Sequence, residues 1–178
     1  MNSIHQNQPE VRLEDLAGAA AIERIRAMVE RSPVGFFCTR PVDPDTHGVR
    51  PMTVLQVDAR GALWFLSASD SEHNRDIAAD PTVRLYFQGS AHSDFLHLDG
   101  RATISTDRDR IESLWSPLFR TWFTGGIDDP RITVIRFEPV AGYYWDTRHG
   151  NVVASVKMLV GAVLGRTLDD SVEGSIAP

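Results

Sequence analysis

From position 13 to 31 the apolar residues Leu13, Leu16, Ala17, Ala20, Ala21, Ile25, Met28 and Val29 recur at steps of three and four. Glu14, Asp15, Glu23, Arg26 and Glu30 fall mostly off that stripe, so the spacing predicts an amphipathic helix over 13–31 that packs on a sheet. Beyond it the period shortens toward two, which reads as strand. Residues 34–40 form a first strand, and the turn-rich link 41–48 leads to alternating runs over 49–57 and 62–67. Asp58-Ala59-Arg60-Gly61 between those runs ends in a glycine able to take positive φ, which predicts a β-hairpin. A short helix over 71–79 and strands over 82–88 and 95–105 follow. Asp107 is placed to cap a third helix to about Trp115, where Pro117 stops it. A loop over 124–130 introduces two further strands, 131–138 and 141–146. The apolar run 152–164 reads as a last helix, 167–178 as an acidic, weakly ordered tail, and 1–10 as a disordered lead-in. Six or seven short strands joined largely by hairpins, with helices at the ends and between, predict a mainly β domain with flanking helices (α+β), as an antiparallel barrel or sandwich over 11–166.

Composition narrows the picture. A chain of 178 residues, 42% hydrophobic, is long enough for one domain with a sizeable core. The formal net charge of -6 argues against a general nucleic-acid surface, which needs a basic excess. The polar start and the lack of a bilayer-length apolar run predict neither a leader nor a membrane span, with the cytoplasm as the expected compartment. The single cysteine, Cys38, lies in the apolar run Val34-Gly35-Phe36-Phe37 and is expected to be a buried, reduced thiol.

The chemistry concentrates after the hairpin. Ser67, Ser69, Ser71, His73, Asn74 and Arg75 gather hydroxyls and nitrogen donors where a strand ends and a helix begins, a setting that suits an anion. Arg50-Pro51-Met52, then Trp64-Phe65-Leu66-Ser67, then Asp70-Ser71-Glu72-His73-Asn74-Arg75-Asp76-Ile77 and Asp80-Pro81-Thr82-Val83 resemble the pyridoxamine 5'-phosphate oxidase-like flavoproteins, in particular their general stress protein branch. The segment LWSPLFRTWFTGGIDDPRITVIRFEP over 114–139 and Tyr143-Tyr144-Trp145-Asp146 add to the resemblance, which spans roughly residues 13–165.

That resemblance implies an antiparallel split β-barrel of the FMN-binding type, paired as a homodimer with flavin at the subunit interface. It implies FMN as cofactor, with Arg50, Pro51, Met52 and Thr53 on the strand along the ring and Trp145 close to it. It implies a cofactor contact at Leu66 and a phosphate site at Ser67 on the strand end and at Ser71 and His73 in the following turn. Pro51 cannot donate to a ladder, so its strand is expected at an edge or bulge with backbone groups free for a ligand. At the phosphate this chain departs from the family, which commonly has lysine where His73 stands, here preceded by Glu72. A neutral histidine donates one hydrogen bond and carries no charge.

Each assignment has a plainer counterpart. Arg50 can pair with a surface carboxylate and Met52 can be core. Ser69-Asp70-Ser71-Glu72 also fits a capping box, whose glutamate would compete with a phosphate. Trp145 can be a core or dimer contact. His97 and Asp99 share a strand face near His92 and Asp94, yet no third metal ligand is suitably spaced, and no metal is expected. No residue stands out as a general acid or base, and no G-x-S-x-G, Walker A or G-x-G-x-x-G is present. The expected function is an FMN-binding general stress-type protein with flavin-mediated transfer to an unidentified small molecule. The alternatives are a non-catalytic flavin-binding or sensing protein, or a barrel that has lost flavin and binds another small ligand.

Overall fold

The computed structural model describes residues 12–89, 94–147 and 171–178. The strands are β1 (Arg12–Leu13), β2 (Leu16–Ala17), β3 (Val34–Cys38), β4 (Val49–Thr53), β5 (Gln56–Val57), β6 (Leu63–Ala68), β7 (Thr82–Gln88), β8 (Phe95–Ser105), β9 (Ile132–Thr147) and β10 (Ser171–Ala177). Three helices, α1 (Gly18–Arg31), α2 (Glu72–Ala79) and α3 (Arg108–Leu114), and two short 3-10 turns, Pro117–Thr121 and Gly126–Asp128, complete the described elements. The strands run in the order β1-β10-β9-β8-β7-β3-β4, while β6 pairs with both β5 and β9.

This is a mainly β, split-barrel arrangement whose sheet does not close. β4 ladders only with β3 and β5 only with β6, so between Thr53 and Gln56 the chain itself bridges the gap. The change of partner is visible in two bonds: Val54 N donates to Pro33 O at 2.8 Å and Leu55 N donates to Trp64 O at 2.8 Å. It splits the single strand expected over 49–57. The expected hairpin is present, with Val57 opposite Leu63 and Gly61 at φ +82°. Arg60 N and Ala62 N both donate to the Asp58 carboxylate across that turn.

Alternation explains the layers. On β7, Val83, Leu85 and Phe87 are buried between exposed Arg84 and Tyr86, and on β8 Leu96 and Leu98 are buried likewise. These residues join Phe37, Phe65, Ile135, Phe137 and Tyr144, with Ile25 and Met28 of α1, in one core inside the barrel. A second cluster lies outside β6 and β9, where Ile111, Leu114, Phe123, Ile132 and Val134 pack with Trp64, Leu66, Trp115 and Phe119.

Several expectations need correction. The helix begins at Gly18 rather than position 13, because residues 12–17 are extended and pair in parallel with β10. Gly18, at φ +54°, makes the turn between the two states. The two strands expected over 131–138 and 141–146 are one continuous strand, β9. A register shift opposite Asp99 and Gly100 leaves Val140 as the extra residue beside Pro139, a bulge that tolerates the missing proline N–H. The tail expected to be weakly ordered contains β10, antiparallel to β9 with Val172 and Ile176 in the core. Cys38 is only half-buried and faces outward with Phe36. The lead-in over 1–10 and the helix expected over 152–164 lie outside the described residues. No described helix is long and apolar enough to cross a membrane.

Candidate functional site

The strand end and helix start singled out above fold into one polar cluster. Ser67 sits near the end of β6, buried between Phe65 and the first turn of α2. Ser71 is the N-cap of α2, its side chain accepting from Asn74 N at 3.3 Å. The helix is therefore capped two residues after Ser69, with no reciprocal capping box, since the Asn74 side chain bonds Ser67 and Thr133 and Glu72 pairs with Arg50.

Hydrogen-bond directions in the cluster follow from counting protons. Ser67 Oγ donates to Asn74 Oδ1 at 2.9 Å, Asn74 Nδ2 donates to Thr133 Oγ1 at 2.9 Å, and Thr133 Oγ1 donates to Ser67 O at 3.1 Å. Because the one Ser67 hydroxyl proton goes to Asn74, the 2.6 Å contact between Ser67 Oγ and His73 Nε2 has His73 as donor. Ser71 Oγ lies 3.2 Å from Ser67 Oγ and 3.4 Å from His73 Nε2. His73 is thus the Nε2–H tautomer, and its Nδ1 is left as an acceptor that is buried without a partner. Burial and the charge of Arg50 lower the His73 pKa to about 4, against the opposing pull of Asp76 and Glu72. The imidazole is neutral at pH 7.

Arg50 reaches this cluster from β4. It lies opposite Phe37 in the ladder and shares that inward face with Met52, which packs against the barrel core. Its Nη2 pairs with Glu72 Oε2, while its Nε is buried without a partner. Phe37 stands beside His73, the ring centroids 6.4 Å apart. Next to the Arg50–Glu72 pair is a shallow open depression lined by Val42, Asp43, Thr46, Glu72, Arg75 and Asp76. Asp76 is buried there, accepting from Thr39 Oγ1 at 2.7 Å and from Val42 N at 2.9 Å.

The expected site residues divide. Arg50, Ser67, Ser71 and His73 come together, and Met52 borders them from within the core. Pro51 and Thr53 are on the same strand with side chains on the outward face, and Leu66 points into the outer cluster beneath α3. As expected for a strand holding Pro51, β4 ends the strand order. Trp145 is on the outward face, opposite Phe95 and 43% exposed, with its ring 4.6 Å from Tyr143. Its neighbours Tyr144 and Asp146 point inward: Tyr144 Oη donates to Glu14 O at 2.9 Å, and Asp146 accepts from Arg24 at 2.8 Å. Thr133 was not foreseen; Asn74 was named among the donors of this segment without a role of its own, and the carboxylate anticipated for Arg50 was not identified as Glu72. Among the described residues no group of three potential ligands could hold a metal; His97 Nε2 lies 3.1 Å from Asp99 Oδ2, and His92 lies outside the described residues.

The profile of the family described as "Pyridoxamine 5'-phosphate oxidase like" matches residues 20–169. Protein bli-3 of Neurospora crassa is 30% identical over 123 residues, 64% of this chain and 55% of that protein. The chain thus spans about half the length of that curated relative. A crystal structure described as general stress protein 26 from Jannaschia sp. CCS1 superposes with a TM-score of 0.72 at 23% identity, over 88% of this chain and 97% of that one. The general stress FMN/FAD binding protein of Xanthomonas citri superposes at 0.55 and 22% identity, over 67% of this chain and 82% of that one. General stress protein 26 of Bacillus anthracis gives 0.58 and 20%, over 69% and 92%. These structural likenesses concern the fold.

Proposed function

Since the chain belongs to the pyridoxamine 5'-phosphate oxidase-like family, we propose that it is an FMN-binding general stress-type protein that works as a homodimer and serves a flavin-dependent transfer to a small molecule. The observation that carries this reading is the convergence of Arg50, Ser67, Ser71 and His73 from β4, β6 and α2, with Arg50 Nε and His73 Nδ1 both buried and unpartnered. A buried donor and a buried acceptor left open call for a ligand that offers both, as FMN does with acceptors along its ring and hydroxyl donors on the side chain that carries its phosphate.

A bound flavin supplies hydride or single-electron transfer at its ring. The chain's own residues bind and orient it. Arg50 and Met52 line the ring, while Pro51 and Thr53 contribute backbone along the outermost strand. The hydroxyls of Ser67 and Ser71, the backbone after Leu66 and the ring of His73 face the phosphate end. The homodimer reading is supported by a cross-strand row on the outward face. Pro51, Phe36, Tyr86, His97 and Tyr143 lie side by side in register, and Phe36 is 55% exposed. A single soluble copy rarely leaves such a row uncovered. Trp145 stands on this same face, so a dimer built on it puts that indole at the interface.

The visible absorption spectrum of the purified protein, with identification of any chromophore released on unfolding, tests the proposal. A flavin spectrum releasing FMN supports it. A colourless protein that takes up no added flavin overturns it and favours the barrel that has given up flavin, a reading to which the Glu72 contact with Arg50 lends weight. With flavin bound, oxidation of a reduced nicotinamide separates the transfer catalyst from a protein that only holds or senses flavin.

A further inference from the structure

Charges around Arg50 run against an anionic ligand. Glu72 takes Nη2 of Arg50, and Asp43 and Asp76 join Glu72 on the depression beside it, where Arg75 is the one cation among the lining residues. His73 does not redress the balance: its Nε2 proton is given to Ser67, and the nitrogen left open, Nδ1, is an acceptor. The Ser67 proton is likewise committed to Asn74. A phosphate dianion brought here finds the Ser71 hydroxyl 3.2 Å from Ser67 Oγ and, with the Ser67 proton already given away, donating to it, an acceptor nitrogen on His73, and a guanidinium whose Nη2 is already paired with a carboxylate and whose Nε alone is open.

We propose that Glu72 is a specificity-determining residue: by occupying Arg50 it sets the pocket against a ligand's phosphate, so that this chain holds flavin by the ring and gains little from the phosphate. The inference rests on the flavin reading above, and adds that FMN and riboflavin bind almost alike. An anion competes with Glu72 for the same donors, and like charges at that range oppose it. The Glu72 side chain is 43% exposed, so replacing it leaves the core untouched.

Titration of the wild-type protein, Glu72→Gln and Glu112→Gln with FMN and with riboflavin, followed by flavin fluorescence, tests this. Melting in added inorganic phosphate is measured alongside. Glu112, which pairs with Arg108 on α3, controls for the loss of one negative charge elsewhere. The expected result is FMN and riboflavin within about threefold of one another in the wild type. In Glu72→Gln, FMN binds about tenfold tighter with riboflavin unchanged, phosphate raises the melting temperature more than in the wild type, and Glu112→Gln behaves as wild type. A wild type that prefers FMN by about a hundredfold, or a ratio unmoved in Glu72→Gln, overturns the proposal while leaving flavin binding intact. If no variant binds flavin yet phosphate still favours Glu72→Gln, the flavin reading falls and the role of Glu72 stands. No response to any ligand overturns both.

Discussion

Asn74 and Thr133 are 59 residues apart in sequence and joined by a 2.9 Å hydrogen bond between buried side chains. That bond ties α2 to β9, and the proton chain through Ser67 closes on the β6 backbone. Removing Asn74 leaves the buried Ser67 hydroxyl proton without its acceptor and Thr133 Oγ1 without its donor. Asn74→Ala is expected to cost about 1–3 kcal/mol, the desolvation penalty of unsatisfied buried groups. Urea unfolding should show the midpoint falling with an unchanged slope; an unshifted midpoint would mean that water replaces the amide at no cost.

Stability should also sense the His73 ring. Its pKa falls from 6.5 to about 4 on folding, chiefly through burial and then through Arg50. As pH drops below 6.5 the unfolded chain takes up a proton that the folded chain refuses. Stability present above 6.5 is therefore lost progressively down to about 4, below which both states are protonated. His73→Gln should lack this slope. Unfolding midpoints of the two proteins across that interval decide the matter, and parallel curves would show that the ring is not held neutral.

On the outward face, Phe36 takes no part in the core. Phe36→Asp should leave the fold and its unfolding midpoint nearly intact while converting a dimer to monomer in sedimentation equilibrium. A wild-type protein that sediments as a monomer would remove the homodimer from the proposed function.

Gly100 sits at the β8–β9 bulge, where an added Cβ would lie 2.2 Å from Glu138 O and 2.6 Å from Phe137 Cζ. The obstacle is backbone and a fully buried ring, so relief requires the strands to part. Gly100→Ala is expected to destabilise by about 1–3 kcal/mol, as overpacked sites do. Thermal melting checks it, and an unchanged melting temperature would show that the bulge can migrate.

Much of the barrel was legible because alternation is strict where one face is buried. β7 and β8 lie where the pattern of Val83, Leu85, Phe87, Leu96 and Leu98 put them. The misses have a common cause in pairing with distant partners. Leu13 and Leu16 satisfy helical spacing, yet the open edge of β10 claims their backbone. Ser171–Ala177 carries few apolar residues and a glycine, so nothing local marks it as strand; Gly174 is needed because Glu14 O would lie 2.1 Å from an added Cβ. At the candidate site, residue type identified the Ser67, Ser71 and His73 cluster and a carboxylate as the plain alternative for Arg50. Which carboxylate, and where each proton goes, depended on the contact between β4 and α2, which spacing along the chain cannot specify.

β10 carries a consequence for how the molecule breathes. β1 and β2 reach the sheet through β10, and Asp15 holds Ser175 across 160 residues of chain. The first and last described segments should therefore open as a single cooperative unit, with their amides exchanging at one common rate while those of β7 and β8 remain protected. Contacts of such sequence separation are costly to close early, so this unit should also be the last to dock in folding. Tyr144, whose hydroxyl donates to Glu14 O, would report both events from inside the barrel.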